Sequence, residues 1–256
     1  MSGSIHQAAQ KILDSMRAQY RQPLSLVETD LSEFKHLELS HYEAFTKHLK
    51  KLGFRPLVDV EISTVSQAPN SLLLPTVIRS MVSSNGRYVC TYYQAKTRRS
   101  RMVLDLIKGI MNLRWVAAPK NFIGNLSTKH CISFETEYRD GLQITTSNAE
   151  AAGMISSPKQ LQQYFLPYQT KAKTLFEEHR QHLSESGRNK LEIVLVAGKD
   201  QFLAMQNRQQ ELKNAHRKAL NWVTREELLA MAGGNASISD AIYQEIQNIL
   251  RQEAAS

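Results

Sequence analysis

Thr76-Val-Ile-Arg-Ser-Met-Val-Ser83 and Arg87-Tyr-Val-Cys-Thr-Tyr-Tyr-Gln94, joined through Ser84-Asn85-Gly86, are the residues that decide the fold. Both runs are rich in β-branched and aromatic side chains, which suit a pleated, half-buried surface. Asn85-Gly86 offers two residues that tolerate positive φ, so the expectation is an antiparallel hairpin closed by a type I′ turn. A second hairpin is expected between Cys131–Tyr138 and Leu142–Thr146, turned by Arg139-Asp140-Gly141. Val58 to Val65 alternates as an edge or half-buried strand, and Gln67 to Pro75, with Pro69 and Asn70, reads as a loop.

Helical patterns flank these strands. Ile5, Ala8, Ala9, Ile12, Leu13 and Met16 recur at the spacing of one helix face, and Gln22-Pro23 ends that run. A second helix is expected to open at Asp30 or Ser32 and to reach about Leu52. Its buried stripe would be Phe34, Leu37, His41, Phe45, His48 and Leu49, with Gly53 as its left-handed close. In the last third, Ser157-Pro158 suggests a short helix through Phe165, followed by helices over Thr170–Leu183 and Asp200–Ala219. Leu191 to Val196 fits either a strand or the entry to the next helix. Thr224-Arg-Glu-Glu227 has capping-box spacing for a helix ending at Gly233-Gly234, and Ser237 starts a last one to about Gln252.

The expected fold class is therefore α+β, an antiparallel sheet of about four to six strands packed by N- and C-terminal helices. A compositional change near Met154 divides the chain into a helix-plus-sheet part, 1–154, and a helical part, 155–256. A single domain fits these patterns equally well. The 256 residues are 42% hydrophobic and 22% charged, ordinary values for a globular protein. No basic region followed by an apolar run opens the chain, and no stretch approaches ~18 uninterrupted apolar residues. Cys90 and Cys131 are too few for a disulfide framework and are expected to be reduced and buried. The expected location is the cytoplasm, with peripheral attachment at the inner face of the membrane as an extension of that reading.

Charge is distributed unevenly. Between Thr76 and Lys129 stand ten Lys/Arg against Asp105 alone, a net +9 in a chain whose total is +8. Within that window Val103, Leu106, Ile107, Ile110 and Leu113 share one helical face over Met102–Leu113. Arg98, Arg99 and Arg101 precede this face, Lys108 lies opposite it, and Arg114, Trp115 and Lys120 follow, the layout of an interfacial helix. Three readings compete: a solvated sheet surface, a surface for an acidic protein or anionic membrane, and a single-stranded nucleic-acid surface. The last would use Tyr92, Tyr93 and Trp115 as stacking groups beside Lys96, Arg98 and Arg99. The reading adopted is a non-catalytic interaction role, with binding residues Lys96, Arg98, Arg99, Arg101, Lys108, Arg114, Trp115 and Lys120.

Chemistry-bearing constellations are sparse. His41 and His48 share a helix face with His36 nearby, but seven residues separate two rings by about 10 Å, too far for one metal ion. Glu178-His179-Arg-Gln-His182 is better spaced, yet it lacks a third ligand and reads as a solvated helix face. His130 and Cys131 are adjacent on a strand, so they point to opposite faces and cannot act as base and nucleophile together. Cys131 shares its face with Ser133, Glu135 and Glu137. No phosphate-loop, dinucleotide, zinc-protease or nucleophile-elbow string occurs. No catalytic residue, metal ligand or cofactor is assigned, and an enzyme of unrecognised class stays open as an alternative.

The succession of a helix, Leu52-Gly53-Phe54, an edge strand, the Asn-Gly hairpin and Phe134-Glu-Thr-Glu-Tyr-Arg-Asp140-Gly141 with Thr145-Thr-Ser-Asn148 resembles a group of bacterial proteins of unassigned function. Leu166-Pro167 with Thr170, Leu175 and His179 extends the resemblance, which spans roughly 42–183 in short motifs. This chain departs from the group by a longer segment from about Gln94 to Lys129. The resemblance implies the helix–sheet–helix order and a bacterial source; it implies no activity and no site residues.

Overall fold

A computed structural model describes residues 2–20, 24–62, 74–96, 129–149 and 155–255. At its centre is a sheet of seven strands, one more than the upper expectation, in which spatial order follows chain order. The strands are β1 (Leu26–Glu28), β2 (Phe54–Ile62), β3 (Val77–Ser83), β4 (Val89–Ala95), β5 (Lys129–Glu137), β6 (Gln143–Ser147) and β7 (Leu161–Phe165). Every neighbour pair is antiparallel except β6 and β7, which run parallel. With the helices at both ends of the chain, this is the expected α+β class.

Both hairpins form, by different turn chemistry. In the first, Ser83 N–H donates to Tyr88 O and Gly86 N–H donates to Ser83 O, leaving a four-residue loop. Asn85 does not adopt positive φ, so the type I′ expectation fails; Gly86 alone does, at +72°. Asn85 instead accepts bonds through Oδ1 from Ser83 Oγ and Arg87 N–H. Gly86 is also pressed against the chain beyond it. Its carbonyl accepts from Val196 N–H, and a Cβ there would lie 3.3 Å from Val196 O. The second hairpin turns through Gly141 at φ +85°, as expected.

Two helices cover one face of the sheet. The helix α2 runs Leu39–Lys51, shorter than expected. Asp30 does accept a bond from Ser32 N–H, but it closes only a 3-10 turn over Leu31–Glu33, after which Phe34 leaves the helical region. The stripe buried by α2 is Tyr42, Phe45 and Leu49; His41 and His48 are exposed. These side chains and Leu175 of α3 (Ala172–Glu185) pack on Phe54, Met81, Cys90, Tyr92 and Phe134. Each such fully buried large apolar side chain is worth roughly 1.5–3 kcal/mol relative to exposure.

The opposite face receives α4 (Lys199–Ala219), whose Phe202 and Met205 meet Val58, Val60, Val82 and Val89. A third cluster joins α1 (Ser2–Gln19), α5 (Arg225–Met231) and α6 (Ala236–Ala255) through Ala9, Leu13, Val223, Leu228, Ile246 and Ile249. The Thr224 capping box forms: Thr224 Oγ1 accepts from Glu227 N–H, and Glu227 Oε2 accepts from Thr224 N–H.

One assignment is reversed. Leu161–Phe165 is a strand and not a helix, because β6 offers an open edge that pairs in register from Gln143↔Leu161 to Ser147↔Phe165. Tertiary pairing outweighs the local Ser-Pro signal. The run after Leu191 forms neither element at length: a 3-10 turn over Lys190–Glu192 leads to a single bridge between Ile193 and Tyr138.

Candidate functional site

The basic window begins where β4 ends. Ala95 and Lys129 are register partners at the ends of paired strands, so residues 97–128 connect two neighbouring points of the sheet. Of the expected binding residues, Lys96 lies within the described structure. Arg98, Arg99, Arg101, Lys108, Arg114, Trp115 and Lys120 lie outside the described residues, as does the expected Met102–Leu113 helix.

Lys96 is well anchored. Its Nζ donates to His36 O at 2.5 Å and stands 3.3 Å from Glu38 Oε1. The Glu38 carboxylate also meets His41 Nε2 at 3.2 Å. His41 stacks on His130, with ring centroids 4.5 Å apart, and His130 Nδ1 lies 2.8 Å from Tyr92 Oη. Burial, reinforced by the His41 ring, lowers the His130 pKa, so this imidazole favours its neutral form. Gln94 ties the start of α2 to β4, accepting from Glu38 N–H and donating to Glu38 O.

Other parts of the basic window are absorbed by the fold. Arg79 makes a bidentate pair with Asp59 at 2.9 and 2.6 Å. Tyr92 is 3% exposed and stacks on Phe45 at 4.3 Å, which removes it as a base-stacking platform. Tyr93 points to the other face and is half-buried, and burial pushes its phenol pKa well up.

A second polar constellation lies between the sheet and α4. Cys131, Ser133, Glu135 and Glu137 share one face of β5, as strand parity predicts, and both carboxylates are buried. Glu137 receives Nε and Nη2 of Arg208, and Gln143 Nε2 donates to it as well. Glu135 accepts from Gln206 Nε2 at 2.8 Å and from Thr91 Oγ1 at 3.4 Å. Burial raises the Glu135 pKa and lowers that of Lys213 beside it, which draws both toward their neutral forms. The Glu135 hydrogen bonds to Gln206 and Thr91 hold β5 to α4 and to β4. The sequence signal for this layer was incomplete. Alternation revealed the β5 acids, whereas α4 read only as a polar helix although Gln209, Gln210, Asn214 and Arg217 are buried.

The Glu178–His182 motif is also a packing feature, contrary to the solvated face expected. His179 is fully buried, its Nε2 2.9 Å from Thr136 Oγ1 and its Nδ1 3.1 Å from Thr146 Oγ1. Burial, with His182 nearby, lowers its pKa to about 3. His182 lies flat on Tyr164 at 3.7 Å. Among the described residues no group of three His, Cys, Asp or Glu is arranged to hold a metal ion. Nor is any helix among them long and apolar enough to cross a membrane.

The chain matches no family model, no curated protein and no solved structure.

Proposed function

We propose that the protein is a non-catalytic interaction module that meets an acidic partner through the basic residues from Lys96 to Lys120. One observation carries this reading: the segment departs from and returns to a single register pair, Ala95↔Lys129. Strands β4 and β5 are thus paired at the point where the segment leaves and rejoins the sheet. Binding residues are often carried on connections that a rigid scaffold presents. Residues 97–128 carry six Lys/Arg against Asp105, a net +5 of the chain's +8.

Between an anionic membrane and an acidic protein, the order of residues favours the membrane. Arg98, Arg99 and Arg101, then an apolar helical pattern, then Arg114, Trp115 and Lys120 suit an interfacial segment. Basic residues near anionic lipid contribute about 1 kcal/mol each, so four or five can hold a protein at the surface. Attachment would then be peripheral, on the cytoplasmic face. The nucleic-acid alternative loses support because Tyr92 is a core residue.

Co-sedimentation with vesicles of phosphatidylcholine alone, and with phosphatidylserine added, tests the reading, with poly-glutamate as a model acidic chain. Binding that requires phosphatidylserine and weakens in Arg98→Glu/Arg99→Glu/Arg101→Glu supports the membrane. Charge-dependent binding to poly-glutamate alone assigns the surface to an acidic protein. Indifference to both probes rejects the proposal.

A further inference from the structure

A separate set of basic side chains gathers on the exposed side of α2. Lys47, Lys50 and Lys51 stand at i, i+3 and i+4, on one face of the helix's last turns. With Glu43, Thr46 and Arg79 they line an open cavity of about 530 Å³ between α2 and β3. None of the three lysines forms an ion pair among the described residues. Part of their placement is explained by the helix itself, since cations near a C-terminus oppose the helix dipole. That account covers the charge but not the concavity or the arginine in it.

Arg79 is the fixed element. Its Nε and Nη2 bind Asp59, its Nη1 donates to Thr46 Oγ1 at 3.1 Å, and its guanidinium lies over the Tyr42 ring at 5.6 Å. Thr46 is itself pinned by donating to Tyr42 O. Three of the five guanidinium N–H groups are used by these bonds, which leaves two for a ligand. The side chain is only 18% exposed, so these donors are partly desolvated and their geometry is set in advance. A fixed guanidinium with one N–H left on each of Nη1 and Nη2, beside three ammonium groups, suits a phosphate: Arg supplies directional hydrogen bonds and Lys supplies point charge.

We propose that this cavity binds a phosphate-bearing anion, with Arg79 as the directional donor and Lys47, Lys50 and Lys51 as the charge clamp. Lys47, Lys50, Lys51 and Arg79 outnumber Glu43 and the Asp59 carboxylate paired with Arg79, so the cavity keeps a net positive charge. Phosphate of this kind is offered by soluble phosphoesters and by lipid headgroups alike. Among the described residues its lining comes from α2 and β3 alone, and its variants leave the residues of the proposed membrane contact unchanged.

The test is a heteronuclear NMR titration of the full chain with pyrophosphate, using sulfate as the control anion. The expected result is saturable shifts at Arg79 Nε and at the amides of Thr46–Lys51, larger for pyrophosphate than for sulfate. Lys47→Gln/Lys50→Gln, both exposed positions, should weaken binding roughly tenfold or more while leaving the rest of the spectrum in place. A second arm uses vesicles containing phosphatidylinositol 4-phosphate. Weaker vesicle binding by the double variant identifies a headgroup ligand, and unchanged vesicle binding with weaker pyrophosphate binding identifies a soluble one. Absence of shifts at Arg79 and Thr46–Lys51, or equal affinity in the double variant, overturns the proposal.

Discussion

Ala95 of β4 and Lys129 of β5 are paired across the sheet, although 33 residues lie between them in the chain. That relationship places both ends of the intervening segment, which holds the basic residues proposed to bind, at one end of the β4–β5 pair.

Replacing residues 97–128 by a short Asn-Gly turn should therefore leave the fold standing. Loop-closure entropy changes only slowly with length, so stability should move by about 2–2.5 kcal/mol. Urea denaturation followed by far-ultraviolet circular dichroism measures this. Loss of cooperative unfolding would show that the segment is part of the core.

His179 sets a pH dependence. Its folded pKa of about 3 lies below the ordinary 6.5, so the unfolded chain binds the extra proton between these values. The His179 contribution is present above about pH 6.5 and is lost as pH falls toward 3, by up to about 1.4 kcal/mol per pH unit. Glu135, raised by burial, titrates in the opposite sense. The His179→Gln variant isolates the histidine: its unfolding free energy should be lower by about 1–3 kcal/mol at pH 7 and fall less steeply on acidification. Parallel pH profiles for the two proteins would contradict this.

Much of this arrangement was legible before the structure, and its gaps have physical causes. Alternation in Cys131–Glu137 and the Asn85-Gly86 and Asp140-Gly141 turns located four strands, because period-two patterning is local. Leu161–Phe165 was misread because its strand identity comes from β6, a partner distant in sequence. His179 reads as a surface residue in sequence because the Thr136 and Thr146 hydroxyls that satisfy it sit on other elements. Arg79 carries charge in sequence, but only the fold shows that Asp59 and Thr46 fix its guanidinium in place. Local signals were readable; buried polar partnerships were not.

Arg217 and Glu227 form the most deeply buried ion pair described, at 2.8 Å and with exposures of 1% and 4%. Arg217 also donates to Ser156 O and lies over Tyr20, while Glu227 completes the Thr224 capping box. Glu227→Ala leaves a buried guanidinium without its counter-charge and should cost about 3–5 kcal/mol. The double variant Arg217→Met/Glu227→Leu should recover part of that loss. Chemical denaturation of the three variants is the measurement, and a double variant no more stable than Glu227→Ala would refute the pairing.

Gly86 and Gly141 offer a paired comparison of backbone strain. Both have positive φ, +72° and +85°, and each should lose about 1 kcal/mol on conversion to Ala. Only at Gly86 would the new Cβ press on Val196 O, at 3.3 Å, whereas nothing lies within 4 Å at Gly141. Gly86→Ala should thus be the more destabilising in thermal unfolding, and equal losses would exclude the contact with Val196 as a contributor.

Binding of an anionic surface by the residues from Lys96 to Lys120 is the proposed function. Its most direct measurement is the salt dependence of full-chain binding to phosphatidylserine vesicles, compared with Arg98→Glu/Arg99→Glu/Arg101→Glu. Removing three contacts of about 1 kcal/mol each predicts affinity lower by roughly a hundredfold, with a shallower salt slope. Vesicle affinity that is unchanged by the three reversals and by salt would contradict the account.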